Sequence, residues 1–160
     1  MAYIPKLYLE TTIFNFYFFG KGGKKQQDTL RLFEEINNGK FHIFTSEYVY
    51  SEISKDTLLK YRKMKELIDK YVGTILNFDQ DVLNLAEIYV KNGIIPAKYI
   101  TDARHIASAS VNELDFVVSF NMGHIVKLKT MIGTGFANLH NGCRQIGLCT
   151  PTEVIQYGQS

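Results

Sequence analysis

KLYLETT, residues 6–12, joins an apolar strand pattern directly to an acid. Leu7, Tyr8 and Leu9 make an apolar segment of the kind found in strands that are covered on both faces of a parallel sheet. Glu10 follows directly, although charged residues are seldom buried unless they are paired or bind a metal ion. The stretch therefore predicts a central strand with an acid at its carboxyl end.

Strand and helix patterns alternate along the rest of the chain. The predicted strands are LYLE (7–10), HIFTS (42–46), TILNF (74–78), FVVSF (116–120) and QIGLCT (145–150). Helical spacing of apolar residues appears in 28–39, 58–72 and 79–93, and the glycine-rich and lysine-rich segment 20–27 is expected to be flexible. This alternation predicts an α/β fold, a three-layer α/β/α sandwich with a central, mostly parallel sheet.

Composition is that of one folded domain, which we expect to span residues 1–160. The chain is 46% hydrophobic and has a net charge of +2, which permits nucleic-acid binding but does not require it. The longest apolar run, residues 13–19, is too short to cross a membrane, and part of this aromatic segment is expected to form a dimer contact or a groove for a protein partner. Without an export signal, Cys143 and Cys149 are interpreted as reduced thiols of a cytoplasmic protein.

Polar residues occupy similar places after or before the predicted strands. Glu52 lies in the helix after HIFTS, Asp102 opens a later helix, and Asn121 directly follows FVVSF. In a parallel sheet these residues and Glu10 can meet at the carboxyl edge, where ligands bind. A cluster of carboxylates repels itself unless a cation neutralises it, and Mg²⁺ or Mn²⁺ accepts oxygen ligands. The pattern is compatible with metal-dependent phosphodiester hydrolysis and also with other metal chemistry.

Each residue also has a simpler interpretation. Asp102 could be a helix-start acid with Thr101 as the cap, Glu52 a solvated helix residue, and Asn121 a turn residue. His105 could move a proton or touch phosphate, but the favoured interpretation is a partly buried histidine that is hydrogen-bonded to backbone.

The order of five segments resembles a PIN domain, the nuclease fold of VapC-type toxin ribonucleases in type II toxin–antitoxin modules. The segments are Glu10-Thr11-Thr12, the Ser46 to Glu52-Ile53 spacing, DARHIASA (102–109), VVSFNMGHI (117–125) and LCTPTEVI (148–155). Together they cover nearly the whole chain.

The resemblance implies an endoribonuclease that depends on Mg²⁺ or Mn²⁺. Glu10, Glu52 and Asp102 would hold the metal directly or through water, and Asn121 would complete the catalytic set. Thr11 or Thr12 would contact a water of the metal or a phosphate. The implied partners are an RNA substrate, a cognate antitoxin protein and a second copy in a homodimer, with no membrane.

Two positions depart from the family pattern. Glu10 replaces the usual Asp and so adds one methylene, and Asn121 stands where many members have Asp. These departures motivate an alternative, a non-catalytic PIN-like module that binds RNA or protein.

Overall fold

The computed structural model describes residues 3–159, and they form one five-stranded sheet with helices on both sides. The strands are β1 (Lys6–Leu9), β2 (His42–Ser46), β3 (Thr74–Leu76), β4 (Phe116–Val118) and β5 (Gly147–Cys149). The α-helices within the described residues are α1 (Thr11–Phe19), α2 (Lys24–Asn37), α3 (Glu47–Ile53), α4 (Leu58–Tyr71), α5 (Gln80–Lys91), α6 (Ile100–Val111), α7 (Leu128–His140) and α8 (Pro151–Gly158). A short 3₁₀ helix, Ala97–Tyr99, leads into α6.

The sheet has the order β3-β2-β1-β4-β5, and all of its paired strands are parallel. Tyr8 of the central strand pairs with Phe44 on one side and with Val117 on the other. Helix α2 contacts α1 and α8 in one layer, and α5 contacts α6 and α7 in another. The predicted α/β sandwich is therefore confirmed, and the carboxyl ends of β1, β2 and β4 lie side by side.

Two strands end one residue earlier than predicted, because the next residue caps a helix. Glu10 leaves β1 to cap α1, and Thr150 leaves β5 to cap α8 with a reciprocal capping box to Glu153. The predicted flexible segment 20–27 is wrong in its second half, since α2 already begins at Lys24. Only the turn before it breaks the helices, with Gly22 at a φ of +72°.

The aromatic segment of α1 divides between core and periphery. Ile13 and Phe14 are fully buried, whereas residues 16–19 are partly buried and pack against the core. No helix in residues 3–159 is long and apolar enough to span a membrane.

Candidate metal centre

Glu10 is the acid at the end of the central strand, and only 3% of its surface is exposed. Its carboxylate caps α1 by accepting the backbone N–H of Thr12 at 3.2 Å. The hydroxyl groups of Thr12 and Ser119 each donate to the same oxygen, Oε1, at 2.6 Å. Three donors therefore hold one oxygen of this acid, which accounts for its burial.

These hydrogen bonds also join β1 to the loop after β4. Thr12 Oγ1 accepts the backbone N–H of Phe120, and Ser119 Oγ accepts that of Asn121, both at 2.9 Å. Each hydroxyl thus accepts from the loop while it donates to Glu10. The resemblance implies that the Thr11 or Thr12 hydroxyl contacts a water of the metal or a phosphate. In this structure the Thr12 hydroxyl donates to the Glu10 carboxylate instead.

Glu52 lies in α3, which begins directly after β2. Ser46 caps this helix by accepting the backbone N–H of Tyr48 at 3.2 Å. Oε1 of Glu52 accepts the Thr11 hydroxyl at 2.8 Å and is hydrogen-bonded to Nε2 of His105. The side chain is 32% exposed, so this carboxylate is anchored on one side and open to solvent on the other.

Glu47, the other acid of α3, lies away from this cluster. Its Oε2 accepts the backbone N–H of Phe78, beyond β3, at 3.0 Å. The geometry therefore agrees with the choice of Glu52 over Glu47 that the sequence spacing suggested.

His105 is fully buried in α6, and the expectation that it is partly buried and bonded to backbone is wrong. Its Nδ1 lies 2.5 Å from the Tyr8 hydroxyl, and its Nε2 contacts Glu52. The Tyr8 hydroxyl is in turn 2.6 Å from Ser46 Oγ. Side chains, not backbone, therefore satisfy both ring nitrogens.

Glu10, Glu52 and His105 come close together. One potential ligand atom from each lies within 4.8 Å of the others. Asp102 is outside this group but near enough that the charges of His105 and Glu52 affect its pKa. It lies in the first turn of α6, whose cap position is Tyr99, so the interpretation of Thr101 as the cap is wrong.

Asn121 lies on the Asp102 side of the cluster. Its Oδ1 accepts the backbone N–H of His124 at 3.0 Å, which closes the turn after β4. The His124 ring stacks on Tyr99 with centroids 3.7 Å apart. Asn121 and His124 lie close enough to Asp102 to oppose part of the rise that burial causes in its pKa.

Burial raises the pKa of two acids of the site, Glu10 in the cluster and Asp102 beside it. Desolvation is the main cause at Glu10, where the charge of His105 and the bonds from Ser119 and Thr12 oppose it. Desolvation also raises the pKa of Asp102, and the nearby charge of Glu52 adds to this. Both groups would gain from a cation beside them.

Glu52 and His105 shift in the opposite sense to what burial alone would cause. Desolvation would raise the pKa of Glu52, but the hydrogen bond and charge of His105 outweigh it and hold this pKa below its ordinary value. Desolvation would lower the pKa of His105, yet the bond to Glu52 and the three nearby carboxylates raise it. The two residues therefore form an ion pair, and His105 is a basic partner that the sequence pattern did not assign to the acids.

The donor set fits a hard divalent cation. Within residues 3–159, every hydrogen bond that the structure shows at the Glu10 and Glu52 carboxylates ends on Oε1. The two Oε2 atoms are left to accept from another group, and Mg²⁺ prefers such oxygens together with waters. Because His105 offsets only one of three carboxylates, the cluster keeps an excess of negative charge.

Three residues of this network are not among the predicted site residues: Tyr8, Ser46 and Ser119, although Ser46 is named for its spacing to Glu52. Each is fully buried, and each uses a hydroxyl within the network. A signal existed for two of them, because Ser46 and Ser119 are hydroxyl residues at strand ends. Tyr8 gave no such signal, since a tyrosine inside a strand is ordinary.

Comparison with known proteins supports the fold. A chain in the crystal structure of VapBC2 from Rickettsia felis, bound to a DNA fragment from their promoter, superposes with a TM-score of 0.53. The match has 15% sequence identity and covers 91% of this chain and 98% of that chain. No family model matches this chain, and the search of curated proteins found no match. At this identity the likeness shows the fold alone, and it agrees with a PIN-like architecture.

Proposed function

We propose that this protein is a Mg²⁺- or Mn²⁺-dependent endoribonuclease built as a single PIN-like domain over residues 1–160. The observation that carries the proposal is the arrangement of Glu10 and Glu52, two anchored carboxylates with a spare oxygen each, at the carboxyl edge of the sheet. Ligands of parallel α/β sheets bind at this edge. Asp102 lies nearby as a third acid. Because its pKa is raised, a cation beside it would stabilise its charged form.

The residues have distinct roles in this proposal. Glu10, Glu52 and Asp102 hold the cation directly or through water, and Asn121 positions Asp102 while adding no charge. Thr11 and Thr12 keep the carboxylates of Glu52 and Glu10 in place. When bound, the ion supplies a lower pKa for the attacking water and positive charge beside the phosphodiester.

The proposal extends to a biological role, the toxin component of a toxin–antitoxin module in the cytoplasm. The structural neighbour belongs to VapBC2, a toxin–antitoxin pair solved with its promoter DNA. By analogy we propose a cognate antitoxin protein as partner and RNA as substrate. An assay that adds the product of a neighbouring small gene and measures inhibition of cleavage tests the partner.

A second copy of the chain is the other proposed partner, and the outer face of α7 supports it. Five large apolar side chains at helical spacing are exposed there: Leu128, Met131, Ile132, Phe136 and Leu139. Their exposed area is on the order of 500 Å², at the upper end for a monomer. Two such faces would bury about 1,000 Å², the lower limit for a specific interface. Helix α7 contains no acid and only one lysine, Lys129, so the like-charge repulsion between two such faces is small.

RNA cleavage with Mg²⁺ or Mn²⁺ tests the activity. We expect Asp102→Asn to lose at least about 100-fold in rate, because a cation ligand contributes several kcal/mol to transition-state stabilisation. Asp115→Asn is the matched control, since Asp115 lies before β4 at the opposite edge of the sheet and accepts from the Lys6 backbone N–H. A cleavage rate that changes neither with a chelator nor with Asp102→Asn would contradict the proposal.

One observation favours the alternative of a non-catalytic RNA- or protein-binding module. The Glu52–His105 ion pair offsets part of the negative charge from within the protein. Titration calorimetry separates the two functions: heat from millimolar Mn²⁺ supports the nuclease, and its absence together with RNA binding supports the alternative.

A further inference from the structure

A chain of buried hydroxyl groups stands behind the candidate metal centre. Tyr8, Ser46 and His105 have no exposed surface, and they come from β1, β2 and α6. The Tyr8 hydroxyl contacts Ser46 Oγ at 2.6 Å and His105 Nδ1 at 2.5 Å. Within residues 3–159, the Tyr8 hydroxyl has hydrogen-bond partners only in Ser46 and His105, and His105 Nδ1 has one only in Tyr8.

The hydrogen bonds of the two His105 ring nitrogens define the role of Tyr8. Nε2 faces Glu52, an ionised carboxylate that can only accept, so Nε2 must carry a proton. In a neutral ring Nδ1 then has to accept, and the Tyr8 hydroxyl donates to it. In a charged ring Nδ1 donates instead, and the Tyr8 oxygen accepts while its proton turns to Ser46.

Ser46 completes both arrangements. Its oxygen already accepts the backbone N–H of Tyr48 at the start of α3, and its hydroxyl can donate to Tyr8 or accept from it. The pair Tyr8–Ser46 therefore supports an Nε2–H group toward Glu52 in either charge state of the ring. A phenylalanine at position 8 would leave Nδ1 buried without this partner.

We infer that Tyr8 and Ser46 are positioning residues: they lock the His105 ring so that Nε2 meets Oε1 of Glu52 and Oε2 stays free for the cation. Thr11 donates to the same Oε1, so the carboxylate is pinned by two donors on one oxygen. This inference rests on the proposed function for the role of the cation, but its geometric part concerns the protein alone. Removing outer partners of a metal ligand typically costs 10- to 100-fold in metal affinity.

The test compares Tyr8→Phe with Tyr89→Phe. Tyr89 is an equally buried tyrosine whose hydroxyl contacts Ser110 at 3.3 Å and Asn138, in the layer of α5, α6 and α7. Both variants lose one buried hydroxyl, so similar losses of melting temperature are expected. We expect only Tyr8→Phe to weaken Mn²⁺ binding in calorimetry, by about 10- to 100-fold.

A second readout does not need the metal. Ring ¹⁵N shifts and couplings of His105 in metal-free protein report which nitrogen carries a proton. We expect Tyr8→Phe to change them and Tyr89→Phe to leave them as in wild type. Unchanged His105 signals in a folded Tyr8→Phe variant, with wild-type Mn²⁺ affinity, would overturn the inference.

The two proposals can fail separately. If wild type binds no Mn²⁺ at millimolar concentration, the nuclease proposal fails, and the His105 signals alone then decide whether Tyr8 positions the ring. If Tyr8→Phe does not fold, Ser46→Ala takes its place. Thr57→Ala is its control, because Thr57 is the cap of α4 and accepts from the Lys60 backbone N–H. Ser46→Ala must change the His105 signals and Thr57→Ala must not.

Discussion

Ser119 and Glu10 are 109 positions apart, yet the Ser119 hydroxyl donates to Oε1 of Glu10 at 2.6 Å. This bond joins the ends of the neighbouring strands β1 and β4. It holds the Glu10 carboxylate at a position that a glutamate side chain reaches from the end of β1. The longer side chain at this position is thus accommodated by its own donors.

Glu10→Asp is expected to lower both the stability of the fold and the cleavage rate. An aspartate is one methylene shorter and cannot reach the three donors that now meet on Oε1. We expect a loss of about 1–3 kcal/mol in the free energy of unfolding, measured with urea, and a lower cleavage rate. Ser119→Ala removes two hydrogen bonds, the one to Glu10 and the one from the Asn121 backbone N–H, so its cost should fall in the same range. A large gain of cleavage in Glu10→Asp would show that the glutamate is a poor ligand.

Glu52→Gln and Glu47→Gln make a matched pair on α3. Glu52→Gln removes a carboxylate from the cluster, so Mn²⁺ affinity and cleavage should both fall, the latter by about 100-fold or more. Glu47 contacts the backbone N–H of Phe78, and an amide oxygen can still accept there, so Glu47→Gln should remain near wild type. If the two variants lost Mn²⁺ affinity and cleavage rate to the same extent, the metal would lie elsewhere.

Cys149 is expected to react slowly as long as the protein is folded. Burial raises the pKa of its thiol from 9.0 to about 12, so at pH 8 its thiolate fraction is about 1,000-fold below that of the unfolded chain. The sign for stability follows: burial of the neutral thiol contributes fully below pH 9.0, and this contribution is lost as the pH rises through about 12.

Alkylation with iodoacetamide at pH 8, followed by mass spectrometry, measures this. Cys143 is the internal control, because it is only half-buried and is also a free thiol. We expect Cys143 to be labelled first in folded protein and both to be labelled in urea. Equal labelling of the two without urea would contradict the burial of Cys149.

Phe136→Ser is expected to dissociate a homodimer that uses α7. Light scattering after size exclusion should show a dimer for wild type and a monomer for the variant, since the substitution removes a central apolar contact of the proposed interface. Leu59→Ser is the control: both side chains are 64% exposed, but Leu59 lies on α4. A monomeric wild type at tens of micromolar would refute the interface.

The sequence anticipated the sheet better than the helices around it. An apolar β1 with turns and helices between short strands was enough for the parallel topology, and β2 was predicted with its observed bounds. Helix α7 was missed, because Gly133, Gly135 and three β-branched residues lower its helix propensity. Its packing explains why it forms: a Cβ on Gly133 would lie 2.8 Å from Ile94, so the close approach uses the glycine.

For the candidate site, the sequence was enough to predict that three acids, Glu10, Glu52 and Asp102, and the amide Asn121 lie near one edge of the sheet, because the carboxyl ends of parallel strands share an edge. The hydrogen-bond partners of each acid depend on how the helices pack on the sheet. Tyr8 and His105 are 97 positions apart, and their contact depends on how α6 packs on β1. Local pattern reports burial and periodicity, whereas hydrogen-bond partners are set by distances between segments that are remote in sequence. This is why His105 was expected to bond to backbone and instead forms an ion pair with Glu52.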